Sequence, residues 1–131
     1  MFRRKHPWAI KFKFSICSNG LLHFDPDVQE YLKKYKEVLS YNVSIDGSKE
    51  LHDTCRIDLS GNGTYDRAIA AVKDYRNNGG YMGSKMTIAP NNVNKLCDSL
   101  QVMIKNNYNE INLNCVHEKG WNKNHAKILY Q

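Results

Sequence analysis

Residues 41–77 read YNVSIDGSKELHDTCRIDLSGNGTYDRAIAAVKDYRN, and this stretch decides the fold class. Tyr41 to Ile45 forms a short β-compatible run that closes on Asp46-Gly47, a turn signal. Residues 48–63 are polar and hold Gly61, Asn62 and Gly63, so they are expected to form a long loop. Thr64 stands where a helix N-cap is favoured. Ala68, Ile69, Val72 and Tyr75 then share one helical face until Gly79-Gly80 stops the run. Strand, loop and helix in that order make one βα unit.

The same grammar extends in both directions. Upstream, Ala9 to Cys17 alternates Ile10, Phe12, Phe14 and Ile16 with Lys11, Lys13 and Ser15, which predicts a strand ending at the turn Ser18-Asn19-Gly20. Asp25-Pro26-Asp27 predicts a helix start, with proline in the first turn and carboxylates at the positive end of the dipole, and the helix should stop near Val38. Downstream, a strand is expected over Lys85 to Ile88, a helix over Val93 to Lys105, a strand over Ile111 to Val116 and a helix from Trp121 to the end. Four β-then-α units with crossovers this long predict an α/β protein with a parallel sheet.

The chain's 131 residues suit one domain, 1–131, and its 41% hydrophobic and 24% charged residues are those of a chain that folds around a core. No run approaches the ~18 apolar residues of a membrane span, and Lys11 and Lys13 interrupt the apolar N-terminal segment, so a cytoplasmic protein is expected. The net charge is +6, but no nucleic-acid-binding motif accompanies it. The lysines therefore read as a solvated surface, and nucleic acid is not expected as a partner. Cys17, Cys55, Cys97 and Cys115 lie too far apart for a metal motif. They read as reduced structural thiols, Cys17 and Cys115 as small buried hydrophobes within strands, with no metal ligand among them.

Parallel sheets collect ligands at the carboxyl ends of their strands. The groups there are Ser18-Asn19-Gly20, Ser44 to Gly47, Thr87 with Asn91 and Asn92, and Asn112 with Asn114. A serine at a strand mouth can donate to a carboxylate, and Arg56 can supply a bidentate fork to the same group. A surface ion pair of Arg56 with Asp53 or Asp58, and a turn or cap role for Asp46, are the plain alternatives. His52 reads as a hydrogen-bonded loop anchor. There is no catalytic triad, dinucleotide fingerprint or Walker A sequence, so no catalytic residue is named.

Taken in order, SICSNG (15–20), SIDGSKELHDTCR (44–56), GNGTYDRAIAAVK (61–73), KMTIAPNNV (85–93) and INLNCVHEKGW (111–121) resemble the radical S-adenosylmethionine enzymes. The likeness is to their sulfatase-maturase-like, peptide-modifying branch, and it covers about residues 12–121. The resemblance implies a partial (β/α)6 barrel in which this chain is the third to sixth βα units, forming an open parallel sheet. It implies that Ser44 and Arg56 hold the methionyl amino acid of S-adenosylmethionine, that Asn19 and Gly20 line the adjoining strand mouth, that Asp46 and His52 order the loop carrying Arg56, and that Asn114 contacts cofactor or substrate. The family's CxxxCxxC loop, which holds a [4Fe-4S] cluster, and its glycine-rich GGE element are absent here. The chain alone is therefore expected to be an inactive fragment that keeps part of the cofactor pocket. Its expected partners are a peptide or protein substrate, and either the missing barrel segments or further copies at the open sheet edges, beside an apolar flank at Phe12, Phe14 and Ile16. The alternative is a stand-alone, cluster-free α/β binding or split-barrel interaction module.

Overall fold

The computed structural model describes residues 2–117 and 120–130. Glu118 and Lys119 of the last quoted motif, and the two chain ends, lie outside the described residues. A helical turn, α1 (Phe2–Lys5), and a 3-10 turn (Pro7–Lys11) lead into β1 (Phe14–Ser18). There follow α2 (Pro26–Tyr35), β2 (Leu39–Ser44), α3 (Lys49–Cys55), α4 (Tyr65–Asn77), β3 (Met82–Ile88), α5 (Leu96–Lys105), β4 (Glu110–Cys115) and α6 (Lys123–Leu129). The strands form one sheet in the order β1-β2-β3-β4, every pair parallel. The α/β class and the open four-stranded parallel sheet are those the sequence predicts.

Side-chain alternation along β2 creates two unlike faces. Leu39, Tyr41 and Val43, with Ile45 just beyond, are buried against Leu32 of α2 and Ala68, Ile69, Val72 and Tyr75 of α4. Each large side chain placed there contributes about 1.5–3 kcal/mol by leaving water. Ser40, Asn42 and Ser44 point to the other face. The register aligns them with Ser15 and Cys17 of β1, with Gly83 and Lys85 of β3, and onward with Glu110 and Asn112 of β4. That second face is polar on every strand, and the residues lining its hollow all come from the strands.

Several local expectations change. The first strand is shorter than Ala9 to Cys17, because Pro7 in the first turn fixes a helical φ and turns residues 7–11 into a 3-10 segment. Phe12 and Phe14 remain solvent-facing, as the expected apolar flank requires, while Ile16 packs on the core. The loop expected over residues 48–63 contains α3, capped by the Ser48 hydroxyl, which accepts the Leu51 N–H at 3.3 Å. Cys17 and Cys115 are exposed because β1 and β4 are the sheet's edges. All four cysteines are free thiols.

Candidate functional site at the strand mouths

The Asp46-Gly47 turn at the end of β2 is held by α3 and by the segment that follows it. His52 is 1% exposed; its Nδ1 accepts the Asp46 N–H at 3.3 Å and its Nε2 lies 3.1 Å from the Thr64 hydroxyl. Accepting at Nδ1 places the proton on Nε2, which donates to Thr64 Oγ1; that hydroxyl in turn donates to the Arg56 carbonyl at 2.9 Å. Thr64 thus occupies the N-cap position of α4 without capping through its side chain. The cap comes from Asp53, whose Oδ1 accepts the Tyr65 N–H at 2.9 Å. His52 is the loop anchor expected of it, and it fastens both Asp46 and Arg56.

Burial pushes the His52 pKa below the ordinary 6.5, outweighing the opposing pull of Asp46. The folded value lies below the unfolded one, so the His52 contribution to stability is complete above about pH 6.5 and is lost as pH falls through the folded value. We expect the urea midpoint of the wild-type chain to drop between about pH 7.5 and 5, with a smaller drop in His52→Gln. Equal pH slopes for the two proteins would remove His52 from this role.

Arg56, the residue just past α3, turns its guanidinium to Asp46. Its Nε donates to Asp46 Oδ2 and its Nη2 to Oδ1 at 3.3 Å, while Oδ1 also accepts the Thr87 N–H at 2.9 Å. The Asp46 carboxylate is thereby satisfied and joins the ends of β2 and β3 to Arg56. Asp53 and Asp58 are engaged elsewhere: Asp53 caps α4, and Asp58 pairs with Arg67 at 2.6 Å. The Nη1 edge of Arg56 has no protein partner among the described residues, and the side chain is 29% exposed.

Ser44 faces the open side, with its hydroxyl 3.7 Å from Cys17 Sγ. Asn19 is exposed and its carboxamide oxygen accepts the Leu21 N–H at 3.1 Å, closing the turn after β1. Gly20 has φ +77°, and a Cβ there would lie 3.1 Å from Val43 Cγ1 and 3.4 Å from Ala71 Cβ, so its place in the structure is a close approach to α4. Asn114 lies opposite Thr87 on β4, in the row above Ser44, Lys85 and Asn112. With its carboxamide oriented to suit its neighbours, its oxygen accepts from Lys85 Nζ at 3.3 Å and its nitrogen donates to Leu113 O at 3.2 Å.

Asn114 lines a polar hollow of about 350 Å³ on the open face, and Ser44, Asp46 and Arg56 lie at or beyond the same carboxyl ends of the strands. The sequence reading missed the hollow's floor, Asn42, Lys85 and Glu110. Its signal was present as polar residues at every second position of β2 and β4. Among the described residues no three His, Cys, Asp or Glu side chains lie together as a metal-holding group.

A parallel sheet with helices packed on one side and its other side left open is the architecture of a partial (β/α) barrel. Solved structures share it. The chain superposes on His6-tagged anSMEcpe with bound AdoMet at a TM-score of 0.73 and 20% identity, covering 92% of this chain and 34% of that one. The same coverage and identity hold for native anSMEcpe with bound AdoMet and Kp18Cys peptide, at 0.73, and with Cp18Cys peptide, at 0.72. The likeness is one of fold, and the chain spans about a third of the length of these neighbours. No protein-family model and no curated protein matches the sequence.

Proposed function

We propose that this chain is part of a radical S-adenosylmethionine enzyme of the sulfatase-maturase-like, peptide-modifying kind, and that it keeps a portion of the cofactor pocket. The supporting observation is the coincidence of a fold shared with AdoMet-bound anSMEcpe and a paired Asp46 and Arg56 at the end of β2, two residues beyond Ser44. The residues fit the methionyl amino acid. The Ser44 hydroxyl and the uncommitted Nη1 edge of Arg56 are donors for its carboxylate, and Asp46 fixes the guanidinium so that little freedom is lost on binding. Asn19, Gly20 and Asn114 border the same end of the sheet. The cofactor, when bound, supplies a sulfonium whose reductive cleavage yields a carbon radical.

The [4Fe-4S] cluster does not fit these residues, because the four cysteines are exposed, far apart in sequence and not gathered with other ligands among the described residues. No chemical step is therefore assigned to this chain alone; the cluster and the rest of the barrel belong to other segments. The free thiols suit a reducing, cytoplasmic setting, and no described helix is long and apolar enough to cross a membrane.

The open edge at β1 supports a second reading, a split-barrel module whose partner covers that edge. Phe14 on β1, and Trp8, Ile10 and Phe12 just before it in sequence, are all 48% exposed or more. One set of measurements separates the two. Calorimetric titration with S-adenosylmethionine is expected to show weak binding that Arg56→Ala and Ser44→Ala each reduce at least about tenfold, the scale of one lost charge-assisted contact. No heat at millimolar cofactor, together with self-association in sedimentation, would reject the cofactor reading and leave the module.

A further inference from the structure

The open face is unusual for the interior of a parallel barrel, which is normally packed with branched apolar side chains. Here every inward position of the strands except Cys17 is polar or glycine, and burying such groups dry would cost several kcal/mol unless a ligand or water met them. The face is thus built for a polar occupant. Among the described residues Lys85 is the only cation lining the hollow, and no carboxylate lies within ion-pair distance of it. Arg56, at the mouth, is already neutralised by Asp46. Glu110 lines the same hollow, but its oxygens accept from Asn112 Nδ2 at 2.9 Å and Tyr81 OH at 3.4 Å.

Two subsites separate on this face. The Ser44 hydroxyl leans to β1, where it meets Cys17. The Lys85 ammonium leans the opposite way, to Asn114 on β4. Asn42 supplies a further handle. Its Nδ2 is held by Ser15 Oγ at 2.8 Å, which turns Oδ1 toward Gly83; that oxygen has no protein donor among the described residues. Even a methyl group at residue 83 would come within 2.0 Å of it. An ammonium without a carboxylate partner and an amide acceptor without a protein donor, on neighbouring strands, match a carboxylate carried on a peptide backbone.

We infer that the open face from β2 to β4 is a peptide subsite in which Lys85 pairs with an acidic side chain of the substrate and Asn42 Oδ1 accepts a backbone N–H. This rests on the peptide-modifying reading above and names the substrate feature that the reading lacks.

The test is a two-dimensional NMR titration of the whole chain with acetyl-Ala-Asp-Ala-amide, its Asn isostere and, separately, S-adenosylmethionine. The aspartyl peptide should bind about tenfold more tightly than the isostere, a preference that weakens with salt. Lys85→Met should abolish the preference, and Lys85→Arg should retain most of it; spectral dispersion verifies that each variant folds. Equal binding of the peptides, no binding of the aspartyl peptide, or a preference that survives Lys85→Met would overturn the inference. A Lys85-dependent preference without cofactor binding would uphold the subsite and reject the cofactor reading. Cofactor binding without the preference would do the reverse.

Discussion

Arg56→Met is expected to lower the unfolding free energy by about 3 kcal/mol, the scale of breaking a buried pair by removing one partner. The loss falls on Asp46. Its side chain is only 9% exposed, and without the guanidinium a single backbone N–H, from Thr87, remains to satisfy an ionised carboxylate. Because Arg56 itself is 29% exposed, water can enter the vacated space, which holds the cost to the lower end of the range. Replacing both partners, as in Asp46→Asn with Arg56→Met, should recover half or more of the loss, since the stranded charge is then gone. Urea denaturation of the four proteins gives the coupling directly. A single-variant loss below about 1 kcal/mol would mean that the pair is a solvated surface contact and not the clamp that joins β2, β3 and the segment after α3.

Much of this clamp was readable in advance, and the part that was not has a physical reason. Ser44, Asp46-Gly47 and Arg56 are visible as a turn and an arginine near a strand mouth. The partner of Arg56 was harder to see. Asp53 and Asp58 are closer in sequence, yet helix α3 carries the chain back so that Asp46 faces it. That helix was missed because Lys49 to Cys55 has only seven residues and a mostly polar face. Its stability comes from tertiary contacts, the burial of His52 above all, and not from periodicity. The first strand was over-extended for a related reason. Ile10 and Phe12 continue the alternation of Phe14 and Ile16, and periodicity alone does not register that Pro7 starts a helical turn. The core face of β2 and the helix after Thr64 followed the pattern because there the pattern is what packing rewards. Lys85 went unnoticed because one lysine in a strand reads as solvated surface. Only the register, which sets it between Ser44 and Asn112, reveals that the surface is a barrel interior.

Gly47→Ala should be strongly destabilising, because strain and overpacking act at one residue. Gly47 has φ +103°, where an L side chain costs about 1–2 kcal/mol. Its added Cβ would sit 2.1 Å from Ser99 Oγ, 2.4 Å from Ser99 Cβ and 3.1 Å from Ser99 Cα, so rotating the serine hydroxyl away gives no escape. Overpacking of this kind adds about 1–3 kcal/mol, for a combined expected loss of about 2–5 kcal/mol. Ser99 is 1% exposed on α5, so the glycine is what lets α5 close against the end of β2. The two contributions can be separated. In the Ser99→Gly background the side-chain clash disappears while the backbone strain remains, so Gly47→Ala there should cost only about 1–2 kcal/mol. The original variant should also displace Asp46, the preceding residue, and with it the orientation of Arg56; on the cofactor reading proposed above, S-adenosylmethionine binding should then weaken even at temperatures where the variant stays folded. Full stability in Gly47→Ala would mean that α5 does not press on the turn. Full stability loss with unchanged cofactor binding in the folded fraction would uncouple the turn from the pocket.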